Sequence, residues 1–198
     1  MSRPVAVAIT GGIGAGKSEV LAAFARHGAA TISSDEIVHR LLREDGEVKA
    51  AIVQRLGEGV LGPDGEIDRG KVGRIVFADR AELVWLEALL HPRVVSVYLR
   101  WREELAELED PPAVCATEVP LLYETGGEAR FDAVVAVTAS TETRVGRKIL
   151  PDAGLREQRL IPDEDKLRRA DFAFVNEGSL EELDAFVARV VEELSRRE

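Results

Sequence analysis

Eight consecutive residues carry the most specific chemistry in this chain. Gly11-Gly12-Ile13-Gly14-Ala15-Gly16-Lys17-Ser18 fits the pattern G-x-x-x-x-G-K-S/T in full. It lies between a short β-branched run, Val5 to Ile9, and a helical pattern from Lys17 to about His27, the setting a phosphate-binding loop requires. Glycines let the chain curl so that successive backbone N–H groups point at phosphate oxygens. The helix that follows, with Glu19 in its first turn, adds the positive end of its dipole. Lys17 is then expected to bridge the β- and γ-phosphates of a nucleoside triphosphate, and the Ser18 hydroxyl to ligate Mg²⁺.

Such a cradle needs elements to hold it. Val5 to Ile9 is stopped by Gly11-Gly12, as expected of a strand buried on both faces. Ala30 to Ser33 predicts a second strand, and Asp35 opens a helix through about Arg43. Strand patterns return at Ala113 to Val119, Asp132 to Thr138 and Asp171 to Val175. A last amphipathic helix runs from Leu180 to about Leu194, with Leu183, Phe186, Val187 and Val190 on its inner face. Five buried-type strands alternating with helices predict an α/β fold, an open parallel sheet covered on both faces. Residues 46–108 read as helical almost throughout, with breaks expected at GEGVLGPDGEID and at His91-Pro92. Residues 141–166 form a charged, irregular stretch. Both are read as insertions into one domain, with a nucleotide core at 1–45, 111–140 and 167–198, a helical acceptor lobe at 46–110 and a lid at 141–166.

Charge narrows the partners. The chain is 198 residues long with a formal net charge of -10, which argues against sequence-independent binding to nucleic acid or to an anionic membrane surface. A small anionic ligand needs only a local positive site, and residues 144–159 offer one. There Arg144, Arg147, Lys148, Arg156 and Arg159 face only Asp152 and Glu157. A lid of that sign suits ATP, closing guanidinium groups on the phosphates and excluding water, with Arg144 and Arg147 one helical turn apart and best placed to reach. The lone cysteine, Cys115, lies in the apolar run AVCATEVP and is expected to pack as an inert core thiol. No apolar run reaches the roughly 18 residues of a membrane helix. The start MSRPVAVAITGG lacks a signal peptide's length and cleavage pattern, so a cytoplasmic location is expected.

The cradle alone does not separate a kinase, a GTPase switch and a motor ATPase. An N-K-x-D guanine-reading segment and a D-x-x-G switch do not occur. Beyond the loop, TGGIGAGKS, SSDEIVHRL at 33–41, IDRGKVGRIVF at 67–77, LEALLHPRV at 86–94, EVPLLYE at 118–124 and ADFAFVNEGS at 170–179 follow one another in the order and spacing of a known family. The chain resembles the dephospho-coenzyme A kinases over nearly its whole length. That resemblance implies a P-loop NTPase fold, three-layer α/β/α, with a five-stranded parallel sheet, a helical substrate lobe and a lid. It also implies transfer of the γ-phosphoryl group of ATP, with Mg²⁺, to the ribose 3′-hydroxyl of dephospho-coenzyme A, the final step of coenzyme A synthesis.

Phosphoryl transfer needs a group to take or orient the acceptor proton and cations around the moving group. Asp35 is the candidate for the first, because it follows the second strand near the crevice where open parallel sheets bind ligands; the same residue suits a helix N-terminus. The resemblance puts a second aspartate where this chain has Ser33. His39 and Arg40, one turn on, face either the acceptor or solvent. Leu121, Leu122 and Tyr123 are expected by resemblance to help line the acceptor pocket, although plain packing would produce the same residue types. Glu118, at the end of the third strand, is either a carboxylate for the Mg²⁺ shell or a polar strand end. Asn176 and Gly178 follow the fifth strand where related kinases hold adenine, and Asn-Glu-Gly is also a good turn. The rival readings are another small-molecule or nucleoside kinase on this scaffold, and a nucleotide-binding regulatory protein without transfer. The oligomeric state is not legible.

Overall fold

The structure, a computed structural model, describes residues 3–147 and 160–196, without the side chains of 145–147. It divides into two compact units, Met1–Ser33 with Trp101–Glu198, and Ser34–Arg100.

The first unit is built on five parallel strands, β1 (Val5–Gly11), β2 (Ala30–Ser33), β3 (Val114–Glu118), β4 (Ala133–Thr138) and β5 (Phe172–Val175), in the order β2-β3-β1-β4-β5. The central strand carries the cradle at its C-terminal end, flanked in register by Ile9 opposite Glu118 and Gly11 opposite Val137. Successive side chains point to opposite faces, and the two faces differ in bulk. Val5, Val7, Ile9, Val135, Val137 and the β5 pair Phe172 and Phe174 share one cluster with α1 (Lys17–Arg26) and α8 (Leu180–Ser195). From α1 come Val20, Ala23 and Phe24, and from α8 Leu183, Val187, Val190 and Leu194. Each such buried aliphatic or aromatic side chain contributes roughly 1.5–3 kcal/mol. Helix α8 starts on a full capping box between Ser179 and Glu182. The opposite face presents Ala8 and Val134 to Leu122, Tyr123, Phe131, Ile161 and Ala170. Here α7 (Asp163–Arg169) covers the sheet, giving the third layer. At the other end of the sheet Arg3 forks onto Asp132 at 2.6 and 2.7 Å, and Asp132 also accepts from the Ala6 N–H.

Cys115 is buried in β3, where burial pushes its thiol up to about 11, so it is a packing group rather than a nucleophile. Helix α6 (Thr141–Arg147) follows β4. The expected lid segment is therefore helical on both sides of 148–159; Lys148, Asp152, Arg156, Glu157 and Arg159 lie outside the described residues.

The second unit is helical, with α2 (Ser34–Glu44), α3 (Gly46–Leu56), α4 (Arg69–Ala78) and the part of α5 (Arg80–Ala106) up to Arg100. It takes in α2, which the sequence reading assigned to the core. Asp45 and Asp68 cap α3 and α4 by accepting from two N–H groups each. Its core is Leu42, Val48, Ile52, Val60, Val72, Val76 and Leu90. The segment GEGVLGPDGEID does break the helical run, forming a 3-10 turn and an antiparallel bridge from Leu61 to Ile67. The break expected at His91-Pro92 is corrected: α5 runs through Pro92. Proline there removes the bond to the Ala88 carbonyl. The Arg93 guanidinium donates to the next carbonyl, Leu89, at 2.9 Å, and Leu83, Trp85, Leu86 and Leu89 hold the helix against the unit's core. Among the described residues no helix is long and apolar enough to cross a membrane.

Candidate functional site

Neighbouring elements hold the cradle at several points. Gly11 approaches β4 so closely that a Cβ would sit 1.9 Å from the Val137 carbonyl oxygen, so the loop leaves the sheet only through a residue without a side chain. The N-cap of α1, Gly16, brings no capping side chain, which leaves the helix's first amides to an anion. The Ala15 carbonyl accepts a 2.9 Å bond from the amide of Asn176, a residue only 4% exposed. The backbone N–H of Asn176 donates to Thr138 at 2.7 Å. Asn176 thus braces the loop from the β5 end. Gly178 lies against Glu182 of the α8 capping box, whose carboxylate would collide with any Cβ there.

The charged groups are equally constrained. Lys17 is 9% exposed and its ammonium donates to the Gly12 carbonyl at 2.9 Å. The Ser18 hydroxyl donates to Glu118 Oε2 at 3.0 Å, and Glu118 is buried at the end of β3. A hydroxyl and a carboxylate oxygen converging beside the loop are the hard donors Mg²⁺ takes, with the remaining positions left to phosphate and water. Among the described residues no cluster of three or more His, Cys, Asp or Glu could hold a metal, so an all-protein metal cage is not what this site offers. Glu19 accepts from Arg26 at 3.1 Å, and Ile13 is half-buried on the loop.

Arg144 of α6 lies directly on the cradle. Its Nη1 would be 2.3 Å from a Cβ built on Gly12, and it donates to Asp163 Oδ2 at 3.2 Å. Asp163, the first residue of α7, also accepts from the Thr138 hydroxyl at 2.7 Å. Helix α6 is itself anchored by Glu177, which accepts from the Ser140 N–H, the Ser140 hydroxyl and the Thr143 hydroxyl. The side chain of Arg147 lies outside the described ones.

Of the expected acceptor residues, Leu122 and Tyr123 are buried in the small-residue face of the sheet and only Leu121 is partly exposed. Burial raises the Tyr123 phenol, and Arg169 stacks over its ring with the guanidinium carbon 4.0 Å from the centroid. The turn they form is tied to α7 by Glu124, which accepts from the Ile161 N–H at 2.9 Å and pairs with the buried Lys166 at 2.8 Å. Arg169 also pairs with Glu128. Asp35, His39 and Arg40 belong to the second unit and are exposed along α2. There His39 Nδ1 lies 3.4 Å from the Arg69 guanidinium. The first unit therefore brings together the cradle, Glu118, Arg144, Asn176 and the 121–124 turn, while the three α2 residues form a separate group.

Asp163, Glu177 and Lys166 were missed by sequence reasoning. Proline followed by Asp163-Glu164-Asp165 is a helix-start signal that marks α7, but nothing local assigns its first carboxylate to Arg144.

A family model described as dephospho-CoA kinase matches residues 5–182. A dephospho-CoA kinase of Streptomyces avermitilis is 41% identical, covering 96% of this chain and 94% of that protein. One of Thermobifida fusca is 38% identical over 96% of both chains. A crystal structure from Thermus thermophilus superposes with a TM-score of 0.77 at 34% identity, covering 98% of this chain and 99% of that one.

Proposed function

The chain belongs to the dephospho-CoA kinase family, and from that premise we propose that it transfers the γ-phosphoryl group of ATP to the ribose 3′-hydroxyl of dephospho-coenzyme A, giving coenzyme A and ADP. The observation that carries the reading is the cradle itself, with Lys17, the Ser18–Glu118 pair and Arg144 gathered at one loop.

In the transfer, the 3′-oxygen forms a bond to the γ-phosphorus while the bond from that phosphorus to the β–γ bridging oxygen breaks, and ADP leaves with the electron pair. Lys17 leaves the Gly12 carbonyl for the β- and γ-phosphates, and Arg144 meets the charge spread over the moving group. The amides of Gly12 to Ser18 and the first turn of α1 hold the remaining phosphate oxygens, and Asn176 with Gly178 lies beside the base. Ser18 and Glu118 would hold Mg²⁺, which when bound neutralises phosphate charge. Asp35 accepts the proton of the 3′-hydroxyl; His39, Arg40 and the exposed side of Leu121 contact the acceptor. The sequence pattern puts the acceptor lobe at 46–110; we assign acceptor binding to the helical unit Ser34–Arg100 and lid motion to 141–166. The reading carries a cytoplasmic location.

The test is ADP release with ATP and Mg²⁺ on adding dephospho-coenzyme A, with adenosine, AMP, CMP and pantothenate as parallel acceptors and mass detection of product. Turnover with dephospho-coenzyme A alone, yielding coenzyme A, is expected. Turnover with a different acceptor would move the chain to another small-molecule kinase, and ATP binding without any turnover to a regulatory binder.

A further inference from the structure

Arg144 has a long, flexible side chain that reaches the cradle at Gly12. Free, such a side chain carries about 2 kcal/mol of rotamer entropy, so something must hold it. Asp163 is an acidic partner at hydrogen-bonding distance, 3.2 Å. Both Asp163 oxygens lie beside Gly12, 3.0 and 3.1 Å from where a Cβ would stand. The carboxylate is in turn oriented by the Thr138 hydroxyl at 2.7 Å. Thr138 ends β4, whose preceding residue, Val137, is in register with Gly11. A chain of contacts therefore runs from the rigid sheet through Thr138 and Asp163 to the Arg144 guanidinium and back to the cradle at Gly12.

We propose that Asp163 is a positioning residue for phosphoryl transfer: with Thr138 it fixes the Arg144 guanidinium over the phosphate loop. The proposal rests on the reading that Arg144 meets the transferred phosphoryl group. A carboxylate beside a phosphate site is costly by charge alone, since it opposes the anion the loop binds. What it gives in exchange is geometry, because a charge-assisted bond aims the guanidinium where charge develops in the transition state. The two effects leave separable signatures. Removing the carboxylate's charge leaves ATP binding unchanged or tighter, and slows the chemical step.

The experiment compares Asp163→Asn, Asp163→Glu and Thr138→Val with the parent enzyme and with Arg144→Ala, reading kcat, the KM of each substrate, ATP affinity by titration calorimetry and the melting temperature. Asp163→Asn is expected to lower kcat roughly tenfold with ATP affinity unchanged or raised, Asp163→Glu to recover part of the loss, and Thr138→Val to lower kcat by a few-fold. On the Arg144→Ala background, adding Asp163→Asn should change kcat by less than about twofold, because the residue acts through the guanidinium. An undiminished effect on that background overturns the proposal, as does tighter ATP binding with kcat unchanged, which would make Asp163 only a competing anion. If Asp163→Asn fails to fold, Thr138→Val decides alone, and an unchanged kcat there overturns the proposal. Arg144→Ala without effect sinks the underlying reading of Arg144 and the proposal with it; Arg144→Ala with a large effect and Asp163→Asn with none sinks the proposal only.

Discussion

The phosphate-loop region and helix α2, the donor and acceptor halves of the proposed reading, are built on different principles. Around the cradle, Lys17, Glu118 and Asn176 are all less than a tenth exposed, with Lys17 and Asn176 donating to loop carbonyls and Glu118 accepting from Ser18. On α2, by contrast, Asp35, His39 and Arg40 stand exposed on one helix. The first arrangement is fixed by folding, so its geometry is in place before ATP arrives. The second lies on the solvent-exposed side of one helix. Substitutions in the donor half should therefore disturb stability, ATP binding and chemistry together, whereas those on α2 should act on the acceptor or the chemical step and leave the fold alone.

Lys17→Ala gives the largest expected effect, a loss of turnover of at least about a hundredfold, measured as coenzyme A formed under saturating ATP. Asp35→Asn follows, with kcat down about a hundredfold and ATP affinity within about twofold by calorimetry. If Asp35→Asn weakened ATP as much as it slowed turnover, the division between the halves would fail. Asn176→Ala removes a buried donor from the Ala15 carbonyl. It should cost about 1–3 kcal/mol of stability by denaturant titration and raise the KM for ATP. The matched change on α2, His39→Ala, should raise the KM for dephospho-coenzyme A and shift stability by no more than about 0.5 kcal/mol.

The smallest effect lies at the far end of the sheet and serves as a control on both halves. The Arg3 guanidinium beside Asp132 holds that carboxyl below its ordinary value against the opposing effect of burial. Its folded-state value being lowered, the stabilisation is complete above the ordinary carboxylate value of about 3.9 and is lost as pH falls through the lower one. Asp132→Asn should thus shrink the fall in melting temperature between pH 6 and pH 3 by a few degrees, with turnover at neutral pH unchanged.

The donor half was also the more legible in sequence, for a physical reason. A strand, a glycine loop and a helix are consecutive, so their pattern is local, and the β-branched runs of a buried parallel sheet stand out from their surroundings. Arg144 could be singled out because a basic segment is conspicuous in an acidic chain. Its partner could not: Asp163 is one of three consecutive acidic-type positions, and only the fold brings it across 19 residues to Arg144. Glu124 and Lys166 are likewise ordinary charged residues until the fold buries them together, 42 residues apart in sequence. Pro92 misled because its local cost is real, and α5 meets it through packing against a core whose residues are scattered over the helical unit. Asn176 was singled out by its position after β5, while its grip on Ala15 depends on a 161-residue contact.

The two glycines that open the cradle imply different kinds of intolerance in a mutant library. At Gly11 the obstacle is the backbone of β4, which no second substitution removes, so a screen for folding alone should return glycine and nothing else. At Gly12 the nearest obstacles are the tips of two side chains, Arg144 and Asp163. A library selected only for folding should accept alanine there once those tips are shortened, and one selected for growth on the enzyme's product should refuse it.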